Sequence, residues 1–325
     1  MKTKILAELR RASGYVSGQA LCEEFHVSRT AIWKAINTLK KEGYEIEAVQ
    51  NKGYRLVRVP EILSQKELES IRQTKWLASE YYYLDETEST NMVAKKLAEE
   101  GAAHGTVVVA GRQTAGKGRR GRVWETPPKT SISMTYVLKP DMMPGNASML
   151  TLVMAMAVVR GIESLTGLEA KIKWPNDVVI NGKKVCGILT EMSAQMDYIN
   201  HIVVGTGINV LNEEFSDELK DKATSIYLET GKSVQRAGLI EAINRQFEHY
   251  YEIFMETQDM SVLAKEYNTL LVNLGGQVRV EGGKEPYVGN SRGITQRGEL
   301  IVDTWEARRL VSSGEVSVRG VYGYV

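Results

Sequence analysis

The sequence contains few of the residues that disulfide-rich, zinc-binding or membrane-spanning proteins need. Its two cysteines, Cys22 and Cys186, lie far apart in a chain of 325 residues, which excludes a disulfide framework and indicates a reducing compartment. Its four histidines are scattered, so the sequence offers no zinc cluster. The longest mostly apolar run, 149–159, is shorter than the roughly 20 residues that span a bilayer, and it predicts a buried helix. No signal-peptide pattern follows Met1, so we expect a cytoplasmic protein without a membrane partner.

The chain also lacks a large overall charge of one sign, but its charge is unevenly distributed. The formal net charge is +1. Residues 1–60 contain eleven Lys and Arg against six Glu and no Asp, a net charge of +5, which leaves −4 for the rest of the chain. A small basic region ahead of a mildly acidic body predicts a polyanion partner for the N-terminal region.

The first sixty residues have the pattern of a winged helix-turn-helix domain. Apolar residues recur at helical spacing three times, and two strand-like segments follow around a basic hairpin tip. Ser28 precedes the third helix and suits its N-terminus, because the hydroxyl can accept a backbone hydrogen bond. The predicted elements are the helices 4–11, 19–25 and 29–42 and the strands 44–48 and 53–57.

The outer face of the third helix and the hairpin tip carry hydroxyl, amide and cationic groups that suit phosphates and base edges. An ordinary solvated helix face presents similar groups. The hairpin and the local charge of +5 favour DNA binding over that alternative. The candidate DNA-binding residues are Ser28, Arg29, Thr30, Trp33, Lys34, Asn37, Lys41 and Lys52.

The rest of the chain interleaves helices with strands, many of which have the spacing of antiparallel neighbours. We therefore predict an α+β or mixed α/β protein with a winged helix-turn-helix domain at 1–62, a central mixed-sheet domain at 63–274 and a small SH3-like β-barrel at 275–325. The central helices are predicted at 67–72, 91–101, 147–167 and 243–257. The central strands are predicted at 81–84, 106–112, 131–138, 171–174, 177–181, 184–192 and 201–210. The barrel strands are predicted at 277–280, 287–288, 300–304, 308–312 and 315–321.

The strongest chemical signal is a segment that we call the cationic loop, Gly116-Lys117-Gly118-Arg119-Arg120-Gly121-Arg122. Its glycines let backbone N–H groups approach a ligand and its four cations strengthen the attraction, which predicts a receptor for a nucleotide phosphate that is loose when empty. The loop also fits the G-x-G-x-x-G pattern. Two prolines and a strand follow it where the dinucleotide-binding fold needs a helix, which excludes that fold.

Two further clusters contain groups that can bind a ligand. Lys173-Trp174-Pro175-Asn176-Asp177 precedes an Asn-Gly hairpin turn, which places Lys184 at the start of the returning strand. A lysine that enters an apolar strand either extends to solvent or meets an anion. Ser89-Thr90-Asn91 either caps a predicted helix or binds a neutral polar ligand, and Gln113 either joins that group or ends a strand at the surface.

The order of these motifs, followed by Gly205-Thr206-Gly207-Ile208-Asn209-Val210, resembles the biotin protein ligase family over essentially the whole chain. With a winged helix in front, it is similar to the bifunctional form that also represses the biotin operon. The resemblance implies that ATP activates biotin to biotinyl-5′-AMP, with Mg²⁺, and that a lysine of a biotin carboxyl carrier protein then accepts biotin. It also implies a homodimer that binds operator DNA when it retains biotinyl-AMP.

The resemblance also implies roles for residues that match the family's motifs. Lys184 and Arg119 are the implied catalytic residues, and Asp177 is the implied Mg²⁺ ligand. The implied biotin-binding residues are Ser89, Thr90, Asn91, Gln113, Lys117, Gly118, Arg119 and Lys184. The implied nucleotide-binding residues are Gly116, Arg120, Gly121, Arg122, Trp124, Lys173, Asn176 and Asn209.

The sequence departs from the family at two places. Lys117 stands where many relatives have arginine, which keeps the charge and loses the bidentate fork. Segment 222–226 has no tryptophan where some relatives offer one to the adenine.

Two other functions are compatible with parts of the pattern: a ligand-sensing repressor without catalysis, and a lipoate ligase of the same fold. The cationic loop together with Lys184 disfavours the first, and the loop together with the winged helix disfavours the second. Arg319 and the segment 320–324 are expected to close the barrel rather than to reach the nucleotide.

Overall fold

A computed structural model describes residues 1–282, 285–314, 316–320 and 324–325, and these form two units. The first unit contains Met1–Gln73 together with Gln235–Gly238, and the second contains Thr74–Val234 and Leu239–Val325. The domain boundaries expected at 62/63 and 274/275 stay predictions.

The first unit is a winged helix-turn-helix, as predicted. Ser28 caps the N-terminus of the third helix, since its Oγ accepts a hydrogen bond from the N–H of Ala31 at 3.3 Å. The predicted bounds agree with the observed ones within two residues. The unit consists of helices α1 (Lys2–Arg11), α2 (Gly18–Phe25) and α3 (Arg29–Lys41), strands β1 (Glu45–Val49) and β2 (Gly53–Arg58), and helix α4 (Gln65–Ile71).

The second unit is built on a mixed sheet, which confirms the predicted fold class. Its strands are β3 (Tyr81–Leu84), β4 (Val107–Ala110), β5 (Ser131–Leu138), β6 (Lys171–Lys173), β7 (Asp177–Ile180), β8 (Lys183–Ala194) and β9 (Ile199–Asn209). They lie in the order β3-β4-β5-β9-β8-β7-β6, and only the β3–β4 pair is parallel. The helices of this part of the chain are α5 (Thr90–Glu99), α6 (Leu150–Thr166), α7 (Ile226–Thr230), α8 (Arg236–Thr257) and α9 (Ala264–Leu270).

Helix α6 is the buried helix that the apolar run predicts. A 3-10 turn, Pro144–Met149, precedes it, and every residue of 152–159 is buried. Together the turn and α6 form the one helix in the described residues that is long and apolar enough to cross a membrane. About two thirds of its most apolar window is buried inside the protein, as a core helix requires.

One predicted helix starts at the wrong residue, and two short helices were not predicted. Helix α8 begins at Arg236, seven residues before its predicted start, because its apolar pattern is interrupted at the beginning while its later turns are aromatic-rich. Helices α7 and α9 were missed altogether. They contain five and seven residues, too few for a helical repeat to be recognised.

The C-terminal part of the second unit is a five-stranded antiparallel sheet. Its strands are β10 (Gln277–Glu281), β11 (Tyr287–Ile294), β12 (Leu300–Asp303), β13 (Arg308–Val311) and β14 (Ser317–Gly320), in the order β13-β12-β11-β10-β14. Strand β11 is much longer than predicted, because glycines interrupt its sequence pattern. Glu315 and Val321, at the ends of the last predicted strand, lie outside the described residues, as do residues 322–323 of the segment 320–324. Closure into a barrel stays a prediction.

Candidate functional site

The predicted ligand-binding residues of the second unit converge on one cleft of about 1540 Å³. Residues from β6, β7, β8, β9, β14, the start of α5 and the cationic loop surround it. Gly116 and Gly121 are the two predicted residues that do not line the cleft. Gly116 instead helps to hold the base of the cationic loop together, because its carbonyl accepts a hydrogen bond from the N–H of Trp124 at 2.9 Å.

The cationic loop folds back on itself as a tight turn. The N–H of Gly118 donates to the carbonyl of Arg122 at 2.7 Å, and Arg120 at the tip has a left-handed backbone with φ of 59°. Only a three-residue 3-10 turn, Arg119–Gly121, interrupts the loop before strand β5 follows. This confirms that the segment is not a dinucleotide-binding turn, since no helix opens from it.

Arg119 connects the loop to two distant segments. One guanidinium nitrogen donates to Oδ1 of Asn176 at 3.0 Å, and the other donates to the main-chain carbonyls of Ser313 and, at 3.2 Å, Gly314. Burial lowers the pKa of Arg119, although the carboxylate of Asp177 opposes this. The C-terminal sheet thus contributes main-chain acceptors that position a predicted catalytic residue.

The centre of the cleft is an ionised cluster around Asp177. Oδ1 of Asp177 lies 2.6 Å from the ammonium of Lys184, and Oδ2 lies 3.7 Å from that of Lys173. The hydroxyl of Tyr324 donates to Oδ2 at 2.5 Å. Lys184 therefore does not simply extend to solvent: its ammonium pairs with a buried carboxylate at the cleft wall.

Electrostatic effects in the cluster oppose one another. Burial disfavours the charge on Asp177, but Lys184 and Lys173 outweigh it and keep the pKa of this carboxyl below its usual value. Burial lowers the pKa of Lys173 to about 8, and Asp177 limits that fall. With both lysines protonated, the three groups carry one net positive charge, which suits an anionic ligand.

A neutral polar wall lies at the start of α5. Oε1 of Gln113 accepts hydrogen bonds from the N–H and the hydroxyl of Thr90, at 2.8 and 3.0 Å. The Asn91 amide donates to Glu191 at 2.8 Å, and its oxygen accepts from Thr135 at 2.7 Å. Ser89 is the N-cap residue of α5, but its side chain makes no capping hydrogen bond. The Ser-Thr-Asn group is thus not occupied by helix capping alone.

Trp124 packs against two strands that carry glycine at the contact. A Cβ on Gly207 would lie 2.5 Å from the indole, and one on Gly187 would lie 3.2 Å from it. The ammonium of Lys184 lies 5.5 Å from the ring centroid. The indole Nε1 is buried and has no hydrogen-bond partner within the described residues. The glycines therefore let an aromatic ring lie directly beside the Lys184 ammonium.

Three contributors to the site were missed by reading the sequence. Arg319 and Tyr324 were expected to close the barrel, but both line the cleft, and the Tyr324 hydroxyl contacts Asp177. Tyr324 lies 147 residues from Asp177 in the chain, and no local pattern links the two. Thr135 lies in a fully buried strand and looks like an ordinary strand residue. Glu191 follows the apolar part of β8, and its pairing with Lys95 at 2.5 Å and with Asn91 depends on the fold. In the sequence, the role of Glu191 is indicated only by the alternation of apolar and polar residues along β8.

Within the first unit, the predicted DNA-binding residues of α3 and the β1–β2 hairpin are exposed, except Asn37, which is half-buried. Trp33 is 57% exposed, which is unusual for a tryptophan and indicates a surface for contact. The basic hairpin is fixed by mutual hydrogen bonds between the main chains of Val16 and Tyr54, at 2.8 and 2.9 Å. Lys52 and Arg55 lie 5.8 and 5.0 Å from the ring of Tyr15.

The predicted Mg²⁺ ligand, Asp177, is not part of a larger cluster of metal-ligating side chains in the described residues. Among them, no three His, Cys, Asp or Glu side chains come together in a way that could hold a metal ion. Both oxygens of Asp177 are already engaged by Lys184 and Tyr324. Mg²⁺ usually takes one or two carboxylates, several waters and substrate phosphates. Direct ligation by Asp177 would displace one of these partners, and it stays a prediction.

Three sequence-family models match successive parts of the chain. The model of an HTH domain matches residues 2–55, that of the "Biotin/lipoate A/B protein ligase family" matches 83–209, and that of the "Biotin protein ligase C terminal domain" matches 274–319.

Individual relatives match the chain over nearly its whole length. It is 40% identical to a bifunctional ligase/repressor of Bacillus spizizenii, over 97% of this chain and 98% of the relative. It is 27% identical to the bifunctional ligase/repressor of Escherichia coli, over 97% and 96%. The structure is similar to that of the biotin protein ligase from Aquifex aeolicus in complex with biotin and ATP. Their TM-score is 0.67 at 30% identity, over 74% of this chain and 99% of that one.

Proposed function

On the premise that this chain belongs to the biotin/lipoate A/B protein ligase family, we propose that it is a biotin protein ligase and a transcriptional repressor in one polypeptide. In the first step the carboxylate of biotin attacks the α-phosphorus of ATP, pyrophosphate leaves, and biotinyl-5′-AMP forms. In the second step the amine of a carrier-protein lysine attacks the acyl carbon and AMP leaves. The observation that carries this proposal is the cationic cluster of Lys184, Lys173 and Arg119 around Asp177 in one cleft.

The first step brings two anions together, and this cluster offsets their repulsion. Two unit charges about 4 Å apart repel by roughly 1 kcal/mol in water and by several kcal/mol where water is scarce. Lys184 lines the cleft, and its ammonium lies beside Oδ1 of Asp177. We assign to it the task of bridging the carboxylate and the α-phosphate. Fixed cations stabilise developing charge because they need no reorganisation during the reaction.

The two halves of the cleft suit the two substrates. The uncharged wall around Thr90, Asn91 and Gln113 offers hydrogen-bonding groups that suit the polar ring of biotin. Trp124 offers an aromatic face, and Arg120 and Arg122 are exposed at the cleft, where ATP phosphates can reach them. Mg²⁺ is proposed to enter with ATP, held chiefly by phosphate oxygens and water.

The repressor function is assigned to the winged helix-turn-helix. Helix α3 is proposed to read operator DNA, while the hairpin with Lys52 contacts the phosphates. We propose that retained biotinyl-AMP favours a homodimer. Such a two-fold dimer would match a two-fold operator. The carrier proteins that accept biotin would be carboxylase subunits. A cytoplasmic location is consistent with both roles.

Exchange of labelled pyrophosphate into ATP tests the proposed function. The purified chain is expected to catalyse exchange that depends on biotin, because the first step is reversible. Exchange that depends on lipoate instead would identify a lipoate ligase. Absence of exchange with either acid, combined with binding of biotin, would indicate a ligand-sensing repressor without catalysis.

A further inference from the structure

Tyr324 and Val325 lie against the catalytic side of the second unit. The ring of Tyr324 lies beneath the ammonium of Lys173, with Nζ 3.9 Å from the ring centroid. The Val325 side chain lies beside Gly182 in the β7–β8 turn, where an added Cβ would be 3.3 Å from Cγ2. The Val325 carbonyl is so close to Gly320 that a Cβ there would clash with it. The two residues thus have a defined place between the end of β14 and the β7–β8 hairpin.

The contacts of Asp177 show what the tyrosine hydroxyl does. The carboxylate has two oxygens and three neighbouring donors. Lys184 takes Oδ1 at 2.6 Å and Tyr324 takes Oδ2 at 2.5 Å, while Lys173 stays 3.7 Å from Oδ2. Burial and the adjacent carboxylate raise the pKa of Tyr324, so the phenol remains a neutral donor. A neutral donor thus satisfies Oδ2 while the Lys173 ammonium stays at the longer distance of 3.7 Å.

We propose that Tyr324 is a positioning residue: its hydroxyl orients Asp177 so that Lys184 faces the reacting atoms, and its ring holds Lys173 away from Asp177. This inference rests on the proposed ligase function for its catalytic meaning. Without the hydroxyl, Oδ2 is left without its donor and Lys173 can move onto it, because a buried carboxylate needs its hydrogen bonds. Both ammoniums would then lie in close contact with one carboxylate, and less positive charge would face the anionic substrates.

The substitution Tyr324→Phe isolates the hydroxyl because it keeps the ring over Lys173. In biotin-dependent pyrophosphate exchange we expect kcat to fall about tenfold, the size expected for losing a hydrogen bond to a charged group. The KM for biotin should stay within about twofold, since the neutral wall around Gln113 is untouched. Tyr287→Phe is the matched control. Tyr287 belongs to the same sheet, its ring lies 4.5 Å from the Arg309 guanidinium, and it does not line the cleft.

A binding measurement tests the same idea without the reaction. Calorimetry with inorganic pyrophosphate should show about fivefold to tenfold weaker binding by Tyr324→Phe, and unchanged binding by Tyr287→Phe. A second variant, Gly320→Ala, keeps the hydroxyl but displaces Val325, and it should reproduce both losses.

The possible outcomes separate this inference from the proposed function. Lack of exchange by the unaltered chain would contradict the ligase proposal, and pyrophosphate binding would still test Tyr324. Wild-type kcat and wild-type pyrophosphate affinity in Tyr324→Phe would overturn the positioning role. A loss shared equally by Tyr287→Phe, or one confined to the KM for biotin, would overturn it as well.

Discussion

One buried carboxylate pairs with two of the cations of the cleft. Asp177 is 8% exposed, and its charge persists because Lys184 and Lys173 outweigh the cost of burial. Removal of one partner of a buried ion pair is more harmful than the pair's net contribution suggests, because the other charge remains. The reaction in the cleft should therefore be sensitive to the loss of a single partner of Asp177.

We expect Lys184→Ala to lower kcat/KM for pyrophosphate exchange by about 10²- to 10³-fold, as removal of one group that stabilises developing charge usually does. Arg119→Ala should lower kcat/KM by about 10- to 100-fold. The substitution removes one cation of the loop together with its hydrogen bonds to Asn176 and to the main chain of Gly314. Lys183→Ala is the control, because Lys183 donates to the Lys220 carbonyl and does not line the cleft. Full activity in both test variants would refute the assignment of the catalytic residues.

A second residue-scale prediction concerns Gly207. The Cβ of Gly207→Ala would lie 2.5 Å from the indole of Trp124, so the ring must move. We expect the KM for ATP to rise about tenfold and the tryptophan fluorescence to change. Gly145→Ala is the matched control, because a Cβ there has no atom within 4 Å. An unchanged KM for ATP would argue against placing Trp124 beside the nucleotide.

At the scale of elements, helix α3 and the β1–β2 hairpin present separate cations in one domain. Lys34 and Lys52 are both exposed, and each is expected to neutralise about one phosphate of operator DNA. Each alanine substitution should reduce the slope of log K against log salt concentration by about 1. Lys96→Ala removes the same charge from α5 and should leave the slope unchanged. Fluorescence anisotropy between about 50 and 200 mM salt would measure all three.

The helices and strands also show how much of the fold can be predicted from the sequence. Long periodic segments such as α6 and β5 were predicted within a few residues, because their burial pattern is visible locally. The short α7 and α9 were not, since one or two turns contain too few positions to show a repeat. The cationic loop was found from its local pattern of glycines and cations, and the hairpin lysine from the Asn-Gly turn before it. Tyr324 and Thr135 act through partners far away in the chain, and only the fold brings these together.

At the scale of the whole molecule, the first unit extends beyond the predicted boundary at 62. Helix α4 packs on α1, and Glu67 in α4 accepts hydrogen bonds from Arg10 and, at 2.6 Å, from Tyr44. Deletion of residues 1–62 would remove these partners and leave α4 uncovered. The N-terminal segment of the first unit ends at Gln73.

We therefore expect the deletions 1–62 and 1–73 both to keep biotin-dependent exchange and to lose operator binding. They should differ in limited proteolysis with trypsin. The shorter deletion should be cleaved rapidly at Lys66 or Arg72, because an isolated seven-residue helix is unstable in water. The longer deletion lacks those sites. Equal resistance of 63–325 and 74–325 would show that α4 stays folded without the first sixty-two residues.

Arg119 also has a consequence for folding. Its guanidinium joins segments that are 57 and about 194 residues apart in the chain, so the centre is assembled by very long-range contacts. Contacts of such separation form late, because closing a long loop costs chain entropy before the contact contributes any stabilising energy. During refolding, secondary structure would return early and turnover would return last. A newly made chain would thus become a catalyst only after its C-terminal sheet has docked.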